Sequence, residues 1–402
     1  MSDYFIKRIA DGGVSHPAGF QSVGIAGGLK RSGKPDVAII LSDRPAAAAG
    51  VLTTNKVRAA CVDINRRKLQ YGLAQAIVVN SGNANCFTGR QGFEDAEQIC
   101  RIGGEALGLD ESLVLGCSTG VIGELLPMDK VEMGIRMAAK ELKHQDTSAA
   151  RAIMTTDLVP KQIACEIETS AGKIRIGAIA KGSGMIEPNL ATMFCFITTD
   201  AVIEGDRLQA MLRETVDCSF NCMTVDGDTS TNDMVLMLAG GASGIAVDTQ
   251  LEPAFREALL LVAREMTRAI ARDGEGATKL IEIQVTGAAS DNDARKAAKT
   301  IANSPLVKTA MFGEDPNWGR IVAAAGRSGA EVNQDRLNLS ICREAIVRNG
   351  EPVKLDESVR RFLLKGSEIL IEIDLGSGDC SGVCWTCDLS YDYVKINAEY
   401  HT

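Results

Sequence analysis

Histidine is scarce in this sequence. The 402 residues include 3 histidines, His16, His144 and His401, and none stands in a motif typical of a nucleophile with its base. A catalytic triad built on histidine is therefore not predicted. Runs rich in Lys and Arg are missing too, and the net charge is −9. The average surface repels a phosphate backbone, so we expect no nucleic acid partner.

Long apolar runs are also missing. Nowhere do about 18 apolar residues follow one another, as a membrane-spanning helix needs. The N-terminal MSDYFIKRIADGG lacks the apolar core of a signal peptide. We therefore expect no membrane partner and a cytoplasmic protein.

The cysteines do not form the framework of a disulfide-rich protein, because 12 in a chain of this length are too few. Cys380, Cys384 and Cys387 have a C-x3-C-x2-C spacing that can hold three corners of an iron–sulfur cluster. They lie close to the C-terminus, however, and Trp385 and Leu389 alternate around them as in a strand. We predict structural thiols, no metal site and no cofactor.

One stretch, KGSGMIEPNLATMFCFITTD from Lys181 to Asp200, organises the interpretation. Its first half is a glycine-rich loop, its second half is a β-type apolar run, and Thr192 stands at the join. The position suits a chain that cleaves itself and uses the freed threonine as nucleophile and base together. On local pattern alone, an ordinary loop-to-strand entry is the better explanation, and only the rest of the chain favours the nucleophile.

Three other polar loops each allow two interpretations. Residues 80–89, NSGNANCFTG, are either a plain turn or a set of amides that orients a neutral substrate. Thr119 and Gly120 follow a short apolar run and supply a hydroxyl and an amide for an oxyanion hole, or simply a strand-to-helix turn. Residues 226–233, DGDTSTND, are a polar pocket loop or a cation site, although their spacing does not fit a calcium-binding EF-hand.

Buried strands are predicted at 36–41, 76–80, 174–180 and 369–375, and helices at 93–107 and from Pro253 to Ile270. Strands and helices do not alternate strictly. The fold class is therefore α/β, a layered sandwich more than a doubly wound sheet.

Eight segments in one collinear order resemble the ornithine acetyltransferase (glutamate N-acetyltransferase) family of arginine biosynthesis. They are NSGNANCFTG, STGVIGELLPM, IMTTD, KGSGMIEPNLATM, DGDTSTND, GEGATK, DPNWGRI and INAEYHT. The resemblance implies self-cleavage between Ala191 and Thr192 into an α segment, 1–191, and a β segment, 192–402. It also implies an α-β-β-α sandwich built from both segments, with a second, smaller α/β domain.

The activity that the resemblance implies is acetyl transfer from N2-acetyl-L-ornithine to Thr192 and then to L-glutamate, which gives ornithine and N-acetylglutamate. Thr119 and Gly120 would form the oxyanion hole. The residues that would contact substrate are Thr155, Lys181, Thr192, Glu275, Asn397 and Thr402. Thr156 competes with its neighbour Thr155 for that role. The resemblance also suggests an α2β2 heterotetramer and leaves open whether acetyl-CoA is a second acetyl donor.

The chemistry of the residues agrees with this. A free α-amino group has a reference pKa of about 7.7–8.0, so cleavage before Thr192 would itself create a base. Two alternatives stay open. One is a self-processed amidase or aminopeptidase in which water replaces the acceptor amine, and the other is an uncleaved homologue that only binds.

Overall fold

The computed structural model describes residues 4–187 and 193–399. Within these ranges the chain forms fifteen β-strands and eleven α-helices. The strands are β1 Phe5–Ile9, β2 Phe20–Ile25, β3 Val37–Leu52, β4 Leu73–Asn83, β5 Val114–Val121, β6 Lys161–Thr169, β7 Gly172–Lys181, β8 Phe194–Thr199, β9 Met234–Ala239, β10 Leu280–Ala288, β11 Asn338–Ile341, β12 Glu344–Arg348, β13 Glu351–Pro352, β14 Glu368–Asp374 and β15 Cys380–Cys387. The helices are α1 Ala60–Lys68, α2 Gly89–Leu107, α3 Met128–Lys140, α4 Ser148–Ala152, α5 Gly205–Asp217, α6 Glu252–Arg272, α7 Asp291–Ala302, α8 Pro305–Phe312, α9 Trp318–Gly326, α10 Glu357–Phe362 and α11 Tyr391–Glu399.

The larger sheet has nine strands in the order β1-β6-β7-β8-β9-β3-β4-β5, with β2 also paired to β3. Strand β3 holds it together because its first half pairs with β2 and β4 and its second half with β9. Strands β1 to β7 precede residue 188, and β8 and β9 follow residue 192. The sheet therefore draws on the chain on both sides of that segment.

Strand β8 is buried on both faces, and its two faces belong to different cores. Phe194 and Phe196 share one buried cluster with residues of β4, β5 and α3. Cys195 and Ile197 share another with residues of α5 and α6. A strand with no polar face reads as a continuous apolar run, which is why this strand was recognisable in the sequence.

The smaller sheet has six strands in the order β13-β12-β11-β14-β10-β15. A third buried cluster joins it to helices α7, α8 and α9. The predicted fold class is confirmed at this level: the protein is a mixed α/β fold with two sheets.

Helix α6 follows the predicted apolar stripe. Phe255, Leu259, Val262, Met266 and Ile270 recur at helical spacing, and all are buried. The helix ends at Arg272, and the polar loop 273–278 begins there.

The three clustered cysteines lie on strand β15. A strand rises about 3.3 Å per residue, so Cys380 and Cys384 are roughly 13 Å apart along it, too far to share one ion. Burial raises the pKa of the Cys384 thiol to about 12. Cys384 and Cys387 are therefore buried, unreactive thiols, whereas Cys380 is partly exposed. Among the residues described, no helix is long and apolar enough to cross a membrane.

Candidate active site

A cavity of about 300 Å³ opens where β5 and β7 end. Its lining residues are Ala84, Thr119, Gly120, Ile122, Thr155, Thr156, Lys181, Gly184, Met185, Ser230, Thr231, Asn232, Glu275 and Asn397. Every predicted site residue that the structure describes is therefore part of one surface. Ala191, Thr192 and Thr402, the predicted cleavage site, nucleophile and C-terminal contact, lie outside the described residues.

Gly120 has a backbone conformation that only glycine adopts easily here. Its φ is +136°, and a Cβ atom would lie 2.3 Å from the carbonyl carbon of Gly82 on the neighbouring strand β4. The close approach of β4 and β5 at this point needs the bare backbone. It also presents the peptide between Thr119 and Gly120 at the edge of the cavity.

Thr119 is buried, with 7% of its surface exposed. Its Oγ1 accepts a hydrogen bond of 3.1 Å from Nζ of Lys181. A hydroxyl that accepts from an ammonium group keeps its own proton for another acceptor. Thr119 can therefore donate to an oxygen atom that enters the cavity.

Lys181 is the last residue of β7 and lies opposite Phe194, the first residue of β8. Burial lowers the pKa of its ammonium group, while Asp157, Asp233 and Glu275 act in the opposite direction. Lys181 therefore brings a partly desolvated positive charge to the cavity, and these three carboxylates favour that charge.

Glu275 brings the negative charge. Its backbone N–H donates to the carbonyl of Ser183 at 2.9 Å, and its Oε2 accepts from Nδ2 of Asn397 at 2.9 Å. Gly184 packs against it so closely that a Cβ atom there would lie 2.5 Å from the carboxylate. The glutamate is thus fixed by the loop that contains Ser183 and Gly184 on one side and by Asn397 of α11 on the other.

Thr155 and Thr156 both line the cavity, so the choice between them stays a prediction. The backbone N–H of Thr155 donates to Oδ2 of Asp157 at 3.0 Å. Asp157 also contacts Lys161, which in turn pairs with Asp273. The sequence reasoning missed this buried cluster, because nothing in the spacing of its members marks them as neighbours.

The asparagines of the 80–89 loop act within the protein. Asn80 Nδ2 donates to the carbonyl of Asn83, and Asn83 Nδ2 donates to the carbonyls of Glu124 and Leu125. Asn85 Nδ2 donates to the carbonyl of Gly92. The structure therefore does not favour amides that orient a substrate. The plain turn is only partly right as well, because residues 80–83 are the end of strand β4.

The 226–233 loop, by contrast, contributes directly to the cavity. Ser230, Thr231 and Asn232 line it. Nδ2 of Asn232 donates to the carbonyls of Ala84 and Ser118, both at 2.6 Å, and so joins this loop to the end of β5. Of the two interpretations, the structure favours the pocket loop.

Fold and cavity together define a mixed α/β protein with a small polar site of mixed charge. Comparison with known proteins is more specific. The chain matches the ArgJ family over residues 21–402. The arginine biosynthesis bifunctional protein ArgJ of Symbiobacterium thermophilum is 51% identical over 397 residues, which cover 97% of this chain and 99% of that protein. The protein of the same description from Synechocystis sp. is 47% identical over 416 residues and is covered, like this chain, at 100%.

A solved chain of the arginine biosynthesis bifunctional protein ArgJ from Bacillus halodurans is 45% identical, with a TM-score of 0.50. The match covers 51% of this chain and 98% of that one. This protein belongs to the ArgJ family. The resemblance indicated by the eight sequence segments is thereby confirmed.

Proposed function

We propose that this protein transfers an acetyl group from N2-acetyl-L-ornithine to L-glutamate through an acetyl ester on Thr192. The observation that carries the proposal is the convergence of Thr119, Gly120, Lys181 and Glu275 on one cavity of about 300 Å³. Sites for small molecules begin at about this volume. Membership of a family whose named relatives act in arginine biosynthesis supports it.

The charges of the cavity match the substrate. N2-Acetylornithine carries a carboxylate at one end and an ammonium group at the other. Lys181 offers an ammonium group to the first, and Glu275 offers a carboxylate to the second. The acetyl carbonyl would then face Thr119 and Gly120, whose hydroxyl and amide would stabilise the oxyanion of the tetrahedral intermediate.

The reaction has two halves. Oγ1 of Thr192 attacks the acetyl carbon while the α-amino group of the same residue takes the hydroxyl proton. The bond from the acetyl carbon to nitrogen breaks, the amine receives that proton, and ornithine leaves. The neutral amino group of glutamate then attacks the ester, Thr192 regains its proton, and N-acetylglutamate is released.

The nucleophile requires prior self-cleavage between Ala191 and Thr192, and hence the segments 1–191 and 192–402. The Bacillus halodurans chain supports this, since 98% of it aligns with only 51% of the present chain. A separate chain of about half the length is what cleavage near the middle would produce.

We further propose the α-β-β-α layer order for the larger part of the molecule. It is supported by Phe194 and Phe196, which share a core with β4 and β5, while Cys195 and Ile197 face α5 and α6. The smaller sheet is the second domain of this proposal. The α2β2 assembly, the cytoplasmic location, the absence of a cofactor and the use of acetyl-CoA as a second donor stay predictions of the sequence.

The proposal is tested by incubating the purified protein with N2-acetyl-L-ornithine labelled in its acetyl group, with and without L-glutamate. We expect glutamate to accelerate the release of ornithine and to carry the label away as N-acetylglutamate. An amidase would release labelled acetate at a rate that glutamate does not change. Either that result or complete inactivity of the cleaved protein would contradict the proposal.

A further inference from the structure

Three charged side chains form a buried cluster beneath the cavity. Nζ of Lys161 lies 2.7 Å from Oδ1 of Asp157 and 2.5 Å from Oδ2 of Asp273. The side chains are 1%, 0% and 6% exposed, respectively. Burying three charges is costly unless ion pairs and further hydrogen bonds compensate for the lost hydration. The hydrogen bonds that these side chains make to the backbone therefore indicate what the cluster does.

The contacts of Asp157 lead to the residues that line the cavity. Its Oδ1 accepts a hydrogen bond of 2.7 Å from the backbone N–H of Gly182, which directly follows Lys181. Its Oδ2 accepts from the backbone N–H of Thr155 at 3.0 Å. One carboxylate thus fixes the backbone at two segments of the cavity wall.

Asp273 reaches the third segment. Its Oδ2 accepts from the backbone N–H of Leu158, and its carbonyl accepts from Oγ of Ser183 at 2.6 Å. The carbonyl of Ser183 then accepts from the backbone N–H of Glu275. Lys161 therefore ties together the segments that carry Thr155, Lys181 and Glu275.

The cluster is not neutral. Two carboxylates share one ammonium group, which leaves one negative charge. Burial alone would raise the pKa of Asp157, but Lys161 and Lys181 outweigh it and lower this pKa to about 2. Asp157 is therefore ionised at neutral pH, and the charge of Lys181 offsets the excess.

We propose that Asp157 is a positioning residue that holds Lys181 in its charged form and in place beneath the substrate carboxylate. This inference rests on the proposed function, because it assigns Lys181 a bound carboxylate. Asp157 itself does not line the cavity, so its action passes through Lys181 and the backbone of Gly182.

Several charged groups from different elements act on Lys181. They are Asp157 from the 154–158 loop, Lys161 from β6, Asp233 from the loop before β9, Glu275 from the loop after α6, and Lys30 from the turn before β3. Asp157 is the largest of the favourable charges. Its removal leaves burial and two lysines acting on Lys181 against the other carboxylates.

The test is the pH dependence of kcat/KM for N2-acetyl-L-ornithine in Asp157→Asn. Asparagine keeps the size and part of the hydrogen bonding but loses the charge. Asp157 is the negative charge that most favours the ammonium form of Lys181, so Lys181 should lose its proton at lower pH in the variant. We expect the alkaline limb of the profile to move down by about one pH unit.

Asp200→Asn is the matched control. Asp200 is also buried and paired with a cation, Arg175, but it follows the opposite end of β8 from Lys181. The alkaline limb of the Asp200→Asn profile should coincide with that of the wild type. Asp157→Glu restores the charge and should return the limb to the wild-type position. Its KM should be higher than that of the wild type, because the longer side chain displaces the backbone of Gly182.

Asp273→Asn supplies a second variant if Asp157→Asn does not fold. It removes a negative charge from the same cluster, and Asp273 is not among the main charges that act on Lys181, so the limb should move in the same direction by a smaller amount. An unchanged limb in a folded Asp157→Asn, or in Asp273→Asn if only that variant folds, overturns the inference. Failure of the proposed function looks different, because the wild type would then show no transfer to glutamate.

Discussion

Buried carboxylates form ion pairs near both ends of strand β8, yet the two ends differ in what the charges face. The near end is at Phe194, opposite Lys181, and the far end is at Thr199, which Asp200 follows. At the far end, Asp200 accepts from the backbone of Ala18 and Arg175 and from the Arg175 guanidinium. All three donors are groups of the protein itself, so this carboxylate is engaged within the fold. At the near end, Lys181 and Glu275 direct charge into a cavity.

The difference shows that buried charge is not by itself the mark of a site. The network at Asp200 joins strands β7 and β8 to the N-terminal segment, and its polar groups pair with one another. The network beneath Lys181 is equally buried, but the side chains that it supports face open space. The near end differs because its charged groups line a cavity. A second, buried group of charged side chains beneath them holds them in place.

The comparison predicts that substitutions at the near end lower activity and that substitutions at the far end lower stability alone. The largest loss of activity is expected from Thr119→Val at the near end, which keeps the side-chain shape and removes the hydroxyl. Loss of one oxyanion donor lowers kcat about 100- to 1,000-fold. Steady-state transfer to glutamate, measured on the cleaved fraction, provides the check.

Thr198→Val is the matched control for this change. The hydroxyl of Thr198 is also buried, in β8, but it donates to the carbonyl of Val14 at 2.6 Å, away from the cavity. Its kcat should stay within about twofold of the wild type, with a small loss of stability. Equal losses of kcat in the two variants would remove the distinction between the two ends.

A smaller effect, on stability alone, is expected from Asp200→Asn. The change removes one of the two carboxylates that pair with Arg175, the other being Glu166, and puts a neutral amide where the fully buried carboxylate accepts three hydrogen bonds. We expect this to cost about 1–3 kcal/mol. Thermal unfolding followed by fluorescence should show a midpoint lower by a few degrees. The kcat of the folded protein should be unchanged, and a large drop in kcat at full stability would contradict the comparison.

Much of the site was predictable because its residues stand in recognisable motifs. Thr119 and Gly120 follow the apolar run of β5, Lys181 ends β7, and Glu275 stands between two glycines after the apolar helix α6. Their meeting in one cavity was not readable from spacing, since β5, β7 and the loop after α6 come together only through the sheet.

The buried cluster left no signal in the sequence. Asp157 and Lys161 are four residues apart, as many solvated pairs are, and Asp273 lies more than a hundred residues further on.

The length of strand β3 could not be predicted from the sequence either. The predicted strand ended at 41, but β3 continues to Leu52 past Pro45, which lies where the pairing with β4 shifts register. Proline argues against a strand unless a bulge accommodates it.

The central claim is that Thr192 becomes an N-terminal nucleophile, and intact mass spectrometry of the wild type beside Thr192→Ala tests it most directly. We expect two fragments from the wild type, the second beginning at Thr192, and one uncut chain of 42.7 kDa from the variant. Because alanine has no hydroxyl, it can neither attack the preceding peptide bond nor carry the acetyl group. A wild type that stays whole yet transfers acetyl groups, or a variant that still cleaves at residue 192, would contradict the account.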